Sequence, residues 1–145
     1  MALTHTHDQE EERPLAYDAQ HTCFGCGELS EAGLRLTFST NARHESICRF
    51  QMPERFQGPH GFTHGGLIAT VLDEAMSKAI HARPESDGLM AMTRHFEVDY
   101  LRPVPLGAEL VARGHQLRVE GRKHFTEATL FDAEGATLAL SLIHI

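Results

Sequence analysis

The segment spanning residues 58–80 restricts what this chain can fold into more than any other part of its sequence. Its first half contains glycine, proline and histidine residues typical of a loop, and its second half lacks proline and glycine, as expected of a helix. Apolar residues recur there at three- and four-residue spacings and cover most of the circumference, which predicts a buried central helix. These residues are Leu67, Ile68, Ala69, Val71, Leu72, Ala75, Met76, Ala79 and Ile80.

Asp73 and Glu74 place two carboxylates on this apolar helix. Removing a carboxylate from water costs free energy unless it has a partner or faces a cavity that still holds water. Asp73 is therefore either a structural acid bonded to a hydroxyl such as that of Thr70 or Ser77, or a catalytic group. Glu74 points about 100° away around the helix, and we expect it to be solvated, interfacial or paired with Lys78.

Gly65 and Gly66 are predicted to lie in the first turn of the helix, where backbone N–H groups have no intrahelical acceptor. Without a β-carbon in the way, a ligand oxygen can approach these donors closely, so they form a candidate oxyanion hole. Asp73 follows about eight residues later, roughly 12 Å along the same helix. A second copy of the chain, related by a two-fold axis, is therefore expected to supply one of the two groups.

The remainder of the chain is predicted to form an antiparallel β-sheet. Apolar and polar residues alternate in two segments before the helix and in four after it, and turn residues separate them near Asn41, at 103–107, at Gly121 and at 134–135. This order favours an α+β fold in which the sheet wraps around one helix, preceded by a short helical or irregular segment. The predicted strands are 34–39, 48–52, 90–101, 109–120, 124–132 and 137–145.

Composition limits the class of protein. A chain of 145 residues is long enough for one domain, which we place at 21–145, and residues 1–20 are predicted to form a mobile acidic tail. The formal net charge of −7 argues against a nucleic-acid partner. We find neither a signal peptide nor a run of apolar residues long enough to span a membrane. Three cysteines suit a reducing cytoplasm better than a disulfide framework.

His21, Cys23 and Cys26 form a second group of chemically active residues. Two thiolates and an imidazole would supply three of the four ligands that zinc usually takes. No second Cys-x-x-Cys pair exists to complete such a site, and the alternative is a tight turn that packs two small thiols. The sequence predicts no cofactor.

Three motifs carry a resemblance to a known family. They are the run from Gln57 to Met76 with its His-Gly-Gly and an acid nine positions after the histidine, the Cys-Phe-Gly-Cys-Gly run from Cys23, and the segment 99–105. Together they resemble the hotdog-fold acyl-CoA thioesterases of the phenylacetate-degradation type. The resemblance implies a hotdog fold, a homodimer or a dimer of dimers, and an acyl-CoA substrate.

The resemblance also implies roles for individual residues. Asp73 would act as general base or nucleophile, with Gly65 and Gly66 as oxyanion hole and His64 shaping the loop. Relatives carry an amide side chain near Gln57 and a water-orienting hydroxyl near Thr93. Candidate substrate-binding residues are Phe62, Met76 and Met90 for the acyl group, and Arg94, Arg122 and Lys123 for the CoA phosphates. The alternative is core packing for each of the first three and a solvated surface charge for each of the three cations.

Two other functions share this fold. One is a non-catalytic module that binds or senses acyl-CoA, since a fold does not determine a function. The other is a hydratase or dehydratase, which would usually pair a histidine with the acid in a different motif. The intact His-Gly-Gly with Asp73 favours hydrolysis of a thioester to free acid and CoA.

Overall fold

A single long helix dominates the computed structural model, which describes residues 11–15, 22–86 and 88–144. Residues 143 and 144 are described by their backbone only. This helix, α1, spans Gly65–His81, as the glycine-rich loop and the apolar repeat predict. Val71, Leu72, Ala75 and Met76 have no exposed surface, which confirms that the helix is central. Pro84 follows shortly after its end, where proline disfavours further helix.

Seven antiparallel strands form one sheet around this helix, in the order β1-β2-β3-β5-β6-β7-β4. Their arrangement confirms the predicted α+β class and the hotdog architecture, with turns and irregular backbone through much of 22–38 before the helix. The strands are β1 (Arg13–Pro14), β2 (Ser39–Thr40), β3 (Ser46–Phe50), β4 (His95–Tyr100), β5 (Leu110–Glu120), β6 (Lys123–Asp132) and β7 (Thr137–His144).

The centre of the sheet contacts the helix at a residue without a side chain. A β-carbon on Gly114 of β5 would lie 2.4 Å from the carbonyl oxygen of Ala75, so only glycine permits this approach. The Ser46 hydroxyl on the neighbouring strand donates to the same carbonyl at 2.5 Å. Strands β3 and β5 to β7 pack on α1 and enclose the apolar core.

The predicted strands after 109 are confirmed almost to the residue, whereas two earlier ones are shorter than predicted. Only His95–Tyr100 is strand within the predicted 90–101. In 34–39 the alternation of buried and exposed residues is correct, but most of the segment joins no ladder. The backbone N–H of Leu36 donates to Gly25 instead, because the cysteine-containing turn occupies that edge.

Part of the predicted tail contacts the sheet. Arg13 and Pro14 pair with β2, and the Glu12 carboxylate accepts two hydrogen bonds from the Arg49 guanidinium at 2.6 and 2.8 Å. Residues 12–14 of the predicted mobile tail therefore contact the sheet, because β2 offers backbone partners and Arg49 offers a cation there. The other residues of the predicted tail lie largely outside the described ranges.

Across the described ranges, no helix combines the length and the apolar character that crossing a bilayer requires.

Candidate active site

The loop that precedes α1 is held against the turn after β4. The backbone N–H of Thr63 donates to Val104 at 2.7 Å, and the N–H of Leu106 donates to Gly61 at 3.1 Å. Gly58 lies against the backbone of His64, where a β-carbon would approach within 2.9 Å of its Cα. These contacts fix the start of the helix in position before any ligand arrives.

His64 caps the helix. Its backbone is extended, and its Nδ1 atom accepts a hydrogen bond from the Gly66 N–H at 3.0 Å. A neutral ring in this role carries its proton on Nε2. The predicted part of His64 in shaping the loop therefore has a definite geometry, and the N–H of Gly66 already has an acceptor.

The backbone N–H of Gly65 is the donor that remains available at the start of the helix. Among the described hydrogen bonds none has the Gly65 N–H as donor. A β-carbon at this position would meet the Tyr100 ring at an ordinary contact distance of 3.6 Å, so the glycine chiefly leaves its amide open to approach. Of the two predicted oxyanion donors, the geometry favours Gly65 and argues against Gly66.

Asp73 lies in the third turn of α1, half-buried. The hydroxyl of Thr93 donates to its Oδ1 atom at 2.7 Å. Burial raises the pKa of Asp73, the Thr93 hydrogen bond opposes the rise, and the neighbouring Glu74 carboxylate adds to it. A carboxylate with a raised pKa beside solvent is suited to accept a proton.

The backbone N–H of Gly65 and the Asp73 carboxylate face the same edge of the described sheet. The Tyr100 hydroxyl, at the end of β4, donates to the Gly65 carbonyl at 2.8 Å, whereas Thr93, just before β4, bonds Asp73. Strand β4 is terminal in the sheet order, so its outer side has no partner strand among the described residues. The helix start and Asp73 therefore lie along one seam, roughly 12 Å apart along the helix axis.

Comparison with known proteins agrees with this arrangement. The profile of the Thioesterase superfamily matches residues 60–139, which include the helix, its cap and both partners on the β4 side. The chain belongs to the Thioesterase superfamily. The acyl-coenzyme A thioesterase THEM4 of Rattus norvegicus is 34% identical over 101 residues, which cover 70% of this chain and 42% of that protein. The chain thus spans less than half the length of this curated relative.

Solved structures of the superfamily share the fold. A crystallised thioesterase superfamily protein superimposes with a TM-score of 0.77 at 24% identity, covering 85% of this chain and 62% of its own. The PaaI protein of the E. coli phenylacetic acid degradation operon gives a TM-score of 0.66 at 18% identity, with coverages of 75% and 76%. At these identities the likeness shows the fold alone.

The predicted acyl-binding residues of this superfamily member are dispersed. Met76 has no exposed surface and accepts a hydrogen bond from Ser141 on its sulfur, so it belongs to the core and the prediction for it is wrong. Its position on the inner face of α1 explains the burial. Met90 is 77% exposed on the segment before β4, where nothing in the described chain covers it.

Phe62 borders a separate cavity of about 630 Å³ at the end of the sheet nearest the helix start. Arg102 lies in the same wall, so the cavity combines an aromatic ring with a guanidinium group. Asp73 is not among the lining residues, and the structure therefore does not bring Phe62 and the acid together. Gln57 is exposed and its Oε1 atom accepts from the Gly61 N–H at 3.4 Å, which closes the loop.

The predicted CoA-binding cations gather at the opposite end of the sheet. Strand pairing aligns His95, His144, Phe125 and Arg118 in one row. Arg94 adjoins this row, and Arg122 and Lys123 lie at the tip of the β5–β6 hairpin. All three are exposed and lie at the end where Thr93 contacts Asp73.

Sequence reasoning missed Tyr100 and the surroundings of Glu74. Tyr100 stands within one of the recognised motifs, but only the fold shows that its hydroxyl reaches the Gly65 carbonyl. Glu74 pairs with Lys78 at 3.1 Å, one of the predicted alternatives, yet the pair is buried rather than solvated. Cys23 and Cys26 lie beside it, and His21 of the candidate metal group lies outside the described residues.

Proposed function

We propose that this chain hydrolyses acyl-CoA thioesters to a free acid and CoA. The observation that carries the proposal is the hydrogen-bonded pair of Asp73 and Thr93 on the seam that also holds the unengaged Gly65 N–H. Superfamily membership and the similarity to an acyl-coenzyme A thioesterase support the same reaction class.

In this reaction Asp73 acts as a general base. Thr93 engages Oδ1 and orients the carboxylate, which leaves the other oxygen to take a proton from a water molecule. The water attacks the thioester carbonyl carbon, and the carbonyl oxygen gains negative charge. The Gly65 N–H, held at the positive end of α1, donates to that oxygen, an interaction worth roughly 3 kcal/mol in other oxyanion holes. Collapse of the intermediate expels the CoA thiolate, which takes up the proton that Asp73 accepted from the water.

The active unit is a homodimer. Asp73 and Gly65 lie roughly 12 Å apart on one helix, too far to act on one carbonyl group. A two-fold axis beside the free edge of β4 would place the two helices antiparallel, with Gly65 of one copy opposite Asp73 of the other. Each dimer then contains two equivalent sites.

The CoA portion binds at the sheet end that carries Arg94, Arg122 and Lys123. Their positive charge suits the phosphate groups of the nucleotide, and they lie at the same end of the sheet as Thr93, which supports a thioester position beside Asp73. The acyl group extends along the seam toward the helix start.

Thiol release from a series of short, long and aromatic acyl-CoAs tests the proposal. We expect turnover with the wild type and loss of turnover with Asp73→Asn. Glu28→Gln is the control, because Glu28 is an exposed acid away from the seam and from β4. Tight binding of acyl-CoA without turnover would favour the sensing module instead.

A single turnover in heavy-oxygen water separates the two chemical roles of Asp73. A general base leaves the label only in the product acid. Label in the Asp73 carboxylate, found by peptide mass spectrometry, would show a covalent anhydride and a nucleophilic aspartate.

A further inference from the structure

Cys23, Cys26 and Glu74 converge on the side of α1 away from the proposed catalytic seam. One potential ligand atom from each residue lies within 4.8 Å of the other two. Cys26 is buried and Cys23 half-buried, on a turn closed by the hydrogen bond from the Gly27 N–H to the Cys23 carbonyl at 2.8 Å. Glu74 reaches this turn from the helix.

We propose that these three side chains bind a zinc ion. Two sulfur ligands and one carboxylate oxygen favour zinc over magnesium or calcium, which prefer oxygen alone. A water molecule completes the tetrahedral shell from the half-exposed side of Cys23.

The distances fit without rearrangement of the protein backbone. In a tetrahedral zinc site a sulfur and an oxygen ligand lie about 3.6 Å apart, from bonds of about 2.3 and 2.1 Å. Cys23 Sγ and Glu74 Oε1 are 3.6 Å apart. The sulfur of Cys26 lies within 4.8 Å of the Cys23 sulfur and of a Glu74 carboxylate oxygen, so a side-chain shift of about 1 Å closes the site to the ideal separation.

Gly25 makes room for this arrangement. A β-carbon at Gly25 would lie 2.5 Å from Cγ, Cδ and Oε1 of Glu74, so the absence of a side chain allows the carboxylate to lie over the cysteine turn. The shape of the cysteine turn therefore matches the position of the Glu74 carboxylate.

Lys78 balances the charge of the site. Its ammonium group lies 3.1 Å from Oε2 of Glu74, whereas Cys23 lies next to Oε1, so the lysine and the metal would use different oxygens. Two thiolates and one carboxylate exceed the charge of zinc by one negative unit, and the buried ammonium group neutralises it. Such an outer partner also orients the ligand. Each thiol that binds releases its proton to solvent.

A redox role for the two cysteines fits less well. Burial, together with the Glu74 carboxylate, raises the pKa of the Cys26 thiol to about 12. Reactive thiols occur where positive surroundings lower the pKa, so this environment disfavours attack by Cys26 on an oxidant.

The test uses full-length protein prepared without a histidine tag, because the chain already contains 11 histidines that can bind metal adventitiously. We expect zinc in stoichiometric amount by elemental analysis. Cobalt exchanged into the protein should give the strong near-ultraviolet absorption of thiolate coordination and the visible bands of a tetrahedral site.

Cys26→Ser and Glu74→Gln should weaken or remove both signals, and Cys23→Ser provides a variant at a less buried position. Cys48→Ser is the matched control, since Cys48 is a buried free thiol outside the proposed ligand set, and it should retain them. A chelator should lower the melting temperature of the wild type but not that of Cys23→Ser. Wild-type cobalt protein without thiolate absorption, or a signal that survives in Cys23→Ser and Cys26→Ser, would overturn the proposal.

Discussion

Asp73 and Glu74 are neighbours in sequence, yet the fold gives them opposite surroundings. Asp73 faces the free edge of the sheet, where the neutral Thr93 hydroxyl donates to it, and burial raises its pKa. Glu74 faces the cysteine turn and is paired with the buried Lys78 ammonium group. A carboxylate whose pKa is raised can take up a proton during a reaction, whereas one that neutralises a buried cation stabilises the fold. Neighbouring acids on one helix can therefore be divided between chemistry and stability.

Asp73→Asn should produce the largest effect on the catalytic side of this comparison. Removing a general base lowers the rate of the chemical step by about 10²- to 10⁴-fold. The free energy of unfolding should hardly change, because the asparagine can still accept the Thr93 hydrogen bond. Steady-state kinetics and denaturant unfolding check the two halves of this expectation. A large loss of stability without loss of rate per folded molecule would reverse the assignment of the two carboxylates.

Glu74→Gln should act mainly on stability. The change removes the negative charge that lies 3.1 Å from the buried Lys78 ammonium group, at a cost of about 3 kcal/mol in the free energy of unfolding. Glu85→Gln is the matched control, because Glu85 is 67% exposed and its 3.8 Å pair with Arg83 contributes little at the surface.

A second change tests whether the buried charge is the cause. Lys78→Met in the Glu74→Gln background removes the buried ammonium group as well and should recover much of the lost stability. Unfolding in denaturant gives the free energies of unfolding of the wild type, Glu74→Gln, Glu85→Gln and the double variant. All four proteins are measured without metal, so that the proposed zinc does not contribute. If the double variant is no more stable than Glu74→Gln, the pair is not the source of the effect.

Helical periodicity predicted those features of Asp73 and Glu74 that depend on α1. The repeat of apolar residues placed Asp73 and Glu74 on a central helix, and the i, i+4 spacing suggested the pair of Glu74 with Lys78. Burial of that pair was not predictable, because it depends on packing against Gly25 and the cysteine turn, which are distant in sequence.

The alternation of apolar residues showed which side chains are buried but not which segments pair with one another. Leu36 and Phe38 are buried as predicted, although their segment bonds to the cysteine turn rather than extending a ladder. Met76 belongs to the helical apolar repeat and is in the core, whereas Met90 lies before β4 and is exposed. The sequence could not reveal the contact of Tyr100 with Gly65, because it joins residues far apart along the chain.

Gly25→Ala tests whether the Glu74 carboxylate sets the requirement for glycine at position 25. The added methyl group would overlap the carboxyl end of Glu74, which the ion pair with Lys78 holds in place, and overpacking of this kind costs about 1–3 kcal/mol. The free energy of unfolding should fall by this amount in the wild type but by much less in a Glu74→Ala background, where the space is empty. An equal loss in both backgrounds would mean that the backbone at position 25, and not the carboxylate, sets the requirement for glycine.

Thr93→Val should have the smallest effect, and it tests the catalytic side. Valine keeps the shape but removes the hydrogen bond to Asp73, so the carboxylate is less well oriented and the rate should fall by about tenfold, as for loss of one bond of about 1.5 kcal/mol. The bond lowers the pKa of Asp73, so its loss should move the acid limb of the rate profile to higher pH, with activity lost as pH falls through that raised value. Thr93→Ser retains the hydroxyl and should restore both the rate and the acid limb. If valine and serine behave alike, the hydroxyl does not orient Asp73, and the acid owes its properties to burial alone.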